Sequence, residues 1–204
     1  MTKTWQLEDV SDRAIDAKYT YYLPSEEAIK LLSVGDGVKV VFCCDVENDK
    51  GWSAERMWVQ ITKISDGLYE GFLDNDPYYI PDIKAGDLVQ FKAKHIIQMS
   101  IDDPVSNTVD QYNARCYVTE SVLNGNRKVT RLFREEPEEN EEDYSGWTLL
   151  SEEDEDAYLD DSKNWRYVSL GAVLNRDDSF IDLLESELDS EYVWDEIKSA
   201  YKKI

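Results

Sequence analysis

Carboxylates are the residues of this sequence with the greatest capacity for chemistry, and they are concentrated in residues 134–161. Closely spaced carboxylates can bind metal ions, transfer protons or attract a cationic partner. Three aromatic residues, Tyr144, Trp147 and Tyr158, lie within the same stretch. A disordered acidic tail has few aromatic residues, because it buries too little apolar surface to offset its chain entropy. We therefore predict that the stretch is the surface of a folded domain.

The pattern does not support catalysis or a built metal site. Zinc sites use several Cys and His residues at short spacing, and the sequence has a single histidine, His95, in an apparent strand. Calcium loops need a glycine turn and a closing Glu, which the acidic run EEDEDAYLDD lacks. We predict no catalytic residues, no metal site and no cofactor. Weak binding of divalent cations to the acidic patch is left open.

The remaining signals are those of a binding surface. Aromatic anchors surrounded by charge are typical of protein interfaces, where the charge mainly raises the association rate. Alternatively, the aromatic residues belong to a core whose solvated face carries the acids. This core interpretation is preferred for Trp165 and Trp194. For Trp147 the core and binding interpretations have similar weight. The predicted partner-binding residues are Tyr144, Trp147, Glu152, Asp154, Asp156 and Tyr158, with Asp74, Asn75 and Asp76 on a long turn of the first half.

The overall charge restricts the class of partner. The formal net charge is −22, and residues 105–204 carry 11 basic and 25 acidic residues. A field of this sign repels nucleic acids and anionic membranes and attracts basic proteins. We therefore expect a basic protein partner, neither nucleic acid nor a membrane, and leave the oligomeric state open.

The expected compartment is the cytoplasm. No apolar run approaches the ~20 residues that a spanning helix needs, and the N-terminus lacks the apolar segment of a signal peptide. The three cysteines, Cys43, Cys44 and Cys116, are an odd number without a CxxC pair, which favours reduced thiols over a disulfide framework.

Two small α+β domains are predicted, 1–103 and 113–204, because the polar segment 100–113 contains Pro104 and lacks periodicity. The first is interpreted as a short helix capped by Ser25, followed by a bent antiparallel sheet or half-open barrel. Within it, Asp66-Gly67 between two β-rich runs predicts a type I′ hairpin.

The second domain is interpreted as a mixed α+β domain. Strands are expected on both sides of the turn Asn124-Gly125, and a helix capped by Ser151 is expected through the acidic run. A strand is expected in WRYVSLGAVLN and a short helix in DSFIDLLES. The final stretch from Ser190 is amphipathic, with lysines where a helix dipole favours them.

Several motifs match known bacterial families. Arg134-Glu135-Glu136-Pro137, Ser145-Gly146-Trp147 and the Glu-Asp-Glu-Asp-x-Tyr run occur between about Cys116 and Trp194. With these motifs the second half resembles the family of immunity protein thirty-three, assigned to polymorphic toxin systems and formerly a domain of unknown function. The Met-Trp-Val strand, the Asn-Asp-Pro turn and the Gly-Asp before a last strand occur between about Trp52 and Met99. There the chain resembles an uncharacterised bacterial family with a small β domain.

The resemblance to the immunity family implies a non-enzymatic bacterial protein that neutralises a toxin by covering its active site. The surplus of acidic residues is consistent with a basic toxin. The alternative is a small-ligand-binding or regulatory module, in which Trp52, Trp58, Tyr78 and Tyr79 line a groove. Neither family implies catalytic residues.

Overall fold

The computed structural model describes residues 3–44, 51–138 and 143–204. Contacts divide the chain into one unit of Met1–Asp16 and Tyr21–Asn107 and a second of Ala17–Thr20 and Thr108–Ile204. The short segment Ala17–Thr20 lies within the first predicted domain but belongs to the second unit. None of the helices in these described ranges is long and apolar enough to span a bilayer.

The first unit is a strongly bent antiparallel sheet with two short helices, which confirms the predicted half-open barrel. Its strands follow the order β1-β2-β3-β4-β5, and β6 returns to pair with β2. A 3₁₀ turn, Ala93–His95, connects β5 to β6. The elements are β1 (Trp5–Leu7), α1 (Ser11–Asp16), α2 (Glu26–Leu31), β2 (Gly37–Cys44), β3 (Ala54–Ser65), β4 (Leu68–Leu73), β5 (Leu88–Lys92) and β6 (Ile96–Met99).

Local signals in the first unit form as the sequence predicts. The Ser25 hydroxyl accepts a hydrogen bond from the backbone N–H of Ala28 (3.0 Å), and so caps α2. Asp66 and Gly67 both have positive φ, 51° and 76°, as a type I′ turn requires. Alternate residues of β2, such as Val38 and Val40, are fully buried and build the core of the bent sheet.

The second unit is a mixed six-stranded sheet with short helices, as predicted. The strand order is β10-β7-β9-β8-β11-β12, in which β7 and β9 are parallel and the other neighbours are antiparallel. The elements are α3 (Thr108–Gln111), β7 (Arg115–Thr119), α4 (Glu120–Leu123), β8 (Arg131–Arg134), β9 (Tyr144–Leu150), α5 (Asp156–Leu159), β10 (Trp165–Ser169), α6 (Leu170–Leu174), β11 (Ser190–Asp195) and β12 (Ala200–Lys203). Two 3₁₀ turns span Ser162–Asn164 and Ile181–Leu183.

The C-terminal stretch differs most from its interpretation. It forms the hairpin β11–β12, in which Trp194 pairs with Tyr201 and the two rings lie 5.1 Å apart. Aromatic and β-branched residues alternate along β11, and cross-strand aromatic pairs of this kind stabilise sheets rather than helices. The placement of lysines at the end of the chain, which suits a helix, does not outweigh this pairing.

The helices of the second unit are also shorter than expected. The acidic run forms a turn at Ser151, followed by a single helical turn, Asp156–Leu159, that begins after Glu155. DSFIDLLES contributes only the 3₁₀ turn Ile181–Leu183. Between β7 and the Asn124-Gly125 turn, where a strand is expected, Glu120–Leu123 form the helix α4.

One face of the second sheet packs against α4 and α6. Cys116 and Val118 of β7 and Leu132 of β8 face this core, together with Val122 of α4 and Val173 of α6. Burial raises the pKa of the Cys116 thiol to about 12. Cys43, Cys44 and Cys116 do not form disulfide bonds.

The segment Ala17–Thr20 supplies Tyr19 to the same core. The Tyr19 ring is 4% exposed, and its hydroxyl donates to the Asp178 carboxylate (2.8 Å). The backbone N–H of Tyr19 donates to the Asn175 side chain (2.9 Å). At Gly171 a Cβ atom would come 2.3 Å from the Tyr19 carbonyl oxygen, so only glycine allows this approach.

Candidate binding surface

Three tyrosines cluster on the outer face of the second sheet, opposite the helices. Tyr117 of β7 pairs in register with Tyr167 of β10, and Tyr144 lies on β9, on the other side of β7. The ring centroids are 4.9 Å apart for Tyr117 and Tyr167, and 5.2 Å for Tyr117 and Tyr144. We call Tyr117, Tyr144 and Tyr167 the tyrosine cluster. Alternation along β7 places Tyr117 outside because Cys116 and Val118 face the core.

The cluster presents one ring to solvent and supports it with two others. Tyr117 is 36% exposed, whereas Tyr144 is 9% exposed and Tyr167 is half-buried. The Tyr144 and Thr148 hydroxyl oxygens are 3.2 Å apart, within hydrogen-bonding distance. The Arg115 guanidinium lies 4.7 Å from the Tyr167 ring centroid and donates to the Tyr167 carbonyl. The exposed ring is thus held in place before any partner binds.

The same outer face continues across β9, β8 and β11. Phe133 of β8 lies opposite Thr148 of β9 and opposite Glu191 of β11. Glu191 accepts a hydrogen bond from Arg131 Nε (2.8 Å). The outer face therefore carries aromatic rings and an arginine, residue types that are enriched in protein interfaces.

Trp147 is a core residue, which corrects its prediction as a surface anchor. Its side chain is 1% exposed, and its indole N–H donates to the Leu184 carbonyl (3.4 Å). Trp147 and Tyr144 are three residues apart in one strand, and successive strand residues point to opposite faces. The two rings therefore cannot both lie on the outer face. Trp165 and Trp194, expected in the core, are half-buried.

Asp154 is buried, which corrects its prediction as a residue that steers a partner. Its side chain is 1% exposed, and its carboxylate accepts hydrogen bonds from Thr119 (3.0 Å), Ser121 (2.8 Å) and Arg127. These contacts fasten the acidic turn to the end of β7. A buried carboxylate with this many donors serves the structure rather than the surface.

The other predicted residues of the second unit divide between structure and surface. Tyr158 is half-buried, and its hydroxyl accepts from the backbone N–H of Ser121 (3.1 Å). It borders a depression of about 500 Å³ beside Arg127 and Asp154. Glu152 and Asp156 are exposed, and they stay a prediction as partner-binding residues.

The predicted turn of the first unit is anchored by its middle residue. The Asn75 side chain accepts from the backbone N–H of Trp58 (2.6 Å), and the Asp74 N–H donates to the Trp58 carbonyl (2.9 Å). The Asp74 and Asp76 side chains are exposed. The turn therefore presents two carboxylates from a fixed backbone.

The aromatic residues of the proposed first-unit groove come together only in part. Trp52 contacts Tyr78 (5.2 Å) and Tyr79 (5.6 Å) between ring centroids. The Glu55 carboxylate holds this region by accepting from the backbone N–H groups of Tyr78, Tyr79 and Ile80 (2.8, 2.9 and 3.2 Å). Trp58 and the buried Val59 point to opposite faces of β3. On the Trp58 side, the Lys39 ammonium lies 4.6 Å from the centroid of the Trp58 ring.

Tyr117 and Tyr167 were not among the predicted site residues, although their strands contain the signal. In Cys116-Tyr117-Val118 the tyrosine lies between two core residues, so it points to the other face of the strand. In Trp165-Arg166-Tyr167 the two aromatic residues alternate with a charged residue. What the sequence does not show is that β7 and β10 are neighbours. Across the described residues, no group of three or more His, Cys, Asp or Glu side chains is arranged to hold a metal ion.

Two protein-family models match the chain. The Immunity protein Imm33 domain matches residues 116–204, and the family described as an uncharacterized protein conserved in bacteria (DUF2314) matches residues 24–149. Both resemblances inferred from the motifs are confirmed, and the DUF2314 match extends well beyond residues 52–99 on both sides. No curated protein and no solved structure matches. The three residues of the tyrosine cluster lie within the Imm33 match. Because the DUF2314 model matches more than half of the chain, the chain belongs to the DUF2314 family.

Proposed function

We propose that this chain is a non-catalytic immunity protein that neutralises a basic toxin in the bacterial cytoplasm by protein–protein contact. The Imm33 match supports a toxin-immunity role. The observation that carries the mode of action is the tyrosine cluster, a supported and partly exposed aromatic group on the outer face of the Imm33 sheet.

The geometry of the cluster suits a binding anchor. Tyrosine offers a large contact area with few rotatable bonds, so ordering it on binding costs little entropy. Packing of Tyr117 against Tyr144 and Tyr167 reduces that cost further, because the ring is already restricted. An anchor of this kind contributes most of the affinity of an interface, while its surroundings exclude water.

The charge of the second unit supports the choice of a basic partner. Residues 105–204 have 25 acidic and 11 basic residues. Glu152 and Asp156 are exposed members of this set and act as steering groups in the proposal. Asp74 and Asp76 offer a second acidic surface on the first unit, while Asn75 holds their turn. Opposite charge of this kind accelerates association and rejects acidic proteins.

Co-expression with the product of the adjacent gene tests the proposal. We expect the chain to relieve the toxicity of that product and to co-purify with it. Tyr117→Ala should weaken the complex by about tenfold to a hundredfold, the usual effect of removing an aromatic anchor. Tyr78→Ala is the matched control, because Tyr78 is an exposed tyrosine of the first unit. Absence of rescue and of any complex would contradict the proposed function; equal affinities of the two variants would contradict the role of the cluster.

Charge reversal separates steering from contact. We expect the double variant Glu152→Lys/Asp156→Lys to lower the association rate constant by about threefold to tenfold at low ionic strength, with little change in dissociation. Added salt should reduce this difference, since exposed charges are screened. Surface plasmon resonance across a salt series measures both rates.

The control for charge reversal is Asp16→Lys/Asp102→Lys, which makes the same change of net charge at exposed positions of the first unit. If both double variants slow association equally, the total charge steers the partner and the position of Glu152 and Asp156 has no special role.

A further inference from the structure

We propose that the outer face of the first sheet binds an apolar side chain of the basic protein partner, together with a lysine or arginine beside it. The surface is centred on Phe72 of β4 and Leu88 of β5, which we call the outer apolar pair. This inference rests on the proposed function. It assigns a docking surface to the first unit, which lies outside the Imm33 match.

The register of the sheet brings the two side chains together. Phe72 and Leu88 lie directly opposite each other on the antiparallel strands β4 and β5. Their neighbours Leu73 and Val89 are buried in the core, so alternation directs Phe72 and Leu88 outward. Phe72 is 49% exposed and Leu88 is 55% exposed. Packing of the first core therefore does not account for these two side chains.

Polar side chains border the outer apolar pair on the same face. Gln60 of β3 lies opposite Phe72, and the Gln90 side chain of β5 donates to the Glu70 carboxylate of β4 (3.1 Å). Exposed apolar surface with a polar border is typical of protein interaction sites. All of these residues lie on paired strands, so the surface is formed before a partner binds.

Leu88 also forms one wall of a depression beside β5, the last strand in the order of the first sheet. The depression has a volume of about 530 Å³. Its lining consists of three apolar and three charged residues: Trp5, Ile83, Leu88, Lys3, Asp82 and Asp87. The Asp82 carboxylate is held in place by Thr4, whose backbone N–H donates to it (2.8 Å). A partner side chain that covers the outer apolar pair has this depression directly beside it, and anchor residues of interfaces occupy such pockets.

Asp74 adds a carboxylate to the outer face. Its N–H donates to the Trp58 carbonyl (2.9 Å), which continues the pairing of β3 with β4. Phe72 and Asp74 are two residues apart on this extended segment, so their side chains point to the same face. Asp74 is exposed.

The charges around the outer apolar pair favour a basic partner. Three carboxylates, Asp74, Asp82 and Asp87, outnumber the neighbouring cations Lys3 and Lys84. Lys3 is already engaged, because its ammonium lies 3.3 Å from the centroid of an aromatic ring of the depression. A second copy of this chain is a poor occupant, because two proteins of net charge −22 repel each other. A lysine or arginine beside the apolar anchor instead meets carboxylates of opposite charge.

Affinity measurements with the full chain and the product of the adjacent gene test the proposal. We expect Phe72→Ser/Leu88→Ser to raise the Kd of the complex by about tenfold, because the variant removes the apolar centre of the contact. The matched control is Ile15→Ser/Leu31→Ser, which removes exposed apolar side chains from α1 and α2 and should leave the Kd unchanged. An unchanged Kd for Phe72→Ser/Leu88→Ser, or an equal loss in the control, would overturn the proposal.

Asp74→Lys tests the choice of a basic partner. We expect the association rate constant to fall by about threefold at low ionic strength, and the difference to disappear in high salt. Asp102→Lys makes the same change at another exposed position of the first unit and should have a smaller effect. Unchanged or faster association of Asp74→Lys would contradict a basic contact at this surface.

Photocrosslinking separates this inference from the proposed function. The photoreactive residue p-benzoylphenylalanine at position 72 keeps an aromatic side chain there, and the same residue at position 117 reports on the tyrosine cluster. We expect an adduct with the product of the adjacent gene from both positions. An adduct from position 117 alone would overturn this inference and leave the proposed function intact, whereas absence of any complex would overturn both. An adduct between two copies of this chain from position 72 would assign the surface to self-association and overturn the choice of partner.

Discussion

Replacing Asp154 with Ala is expected to lower the free energy of unfolding of the second unit by about 3 kcal/mol. The carboxylate is almost fully buried and accepts from Thr119, Ser121 and Arg127. Its removal leaves two hydroxyl groups and a partly buried guanidinium without their acceptor. Removing one member of a buried ion pair costs more free energy than the pair contributes to stability, because the charge that remains, here on Arg127, stays partly desolvated.

Urea denaturation followed by near-UV circular dichroism measures this loss. Glu152→Ala is the control, because Glu152 is an exposed acid of the same turn and its loss should change stability by no more than about 0.5 kcal/mol. If Asp154→Ala proves as stable as Glu152→Ala and slows association with the partner, Asp154 acts at the surface, as the sequence alone suggested.

Gly146→Ala is expected to destabilise the second unit by about 3 kcal/mol, because backbone strain and a steric clash add. The residue has a φ of 83°, and its added methyl group would lie 2.2 Å from the backbone oxygen of Glu135. That oxygen cannot rotate away as a side chain would, so β8 and β9 must separate.

Gly125→Ala separates the two effects. Gly125 has a similar φ of 77°, but nothing lies within 4 Å of an added Cβ. Only the backbone strain applies there, at a cost of about 1 kcal/mol. The difference between the two unfolding free energies measures the clash. Equal values would mean that β8 and β9 can move apart freely at Gly146.

Features that depend on neighbours along the chain could be predicted from the sequence. The Ser25 cap and the Asp66-Gly67 hairpin need only the preferences of four or five consecutive residues. The α+β class and the bent first sheet follow from short β-rich runs separated by such turns. The acidic surface follows from composition alone.

Features that depend on pairing between segments far apart in the chain could not be predicted from the sequence. The hairpin β11–β12 is decided by contacts such as Trp194 with Tyr201 and by the pairing of β11 with β8, some 60 residues earlier. Burial of Trp147 and Asp154 depends on the registers of β9 and of the turn that follows it. The tyrosine cluster forms only because β10 returns to the edge of β7. Each of these outcomes needs the strand order, which composition and periodicity do not contain.

The discontinuous make-up of the second unit restricts how this chain can be divided. Tyr19 fills a place in the core beside Gly171, although it precedes the Imm33 match by almost a hundred residues. A fragment that starts at Thr108 would contain the entire match and still lack this ring. Genetic exchange at the apparent junction would therefore transfer an incomplete core, and the two parts of the chain are best inherited as a single piece.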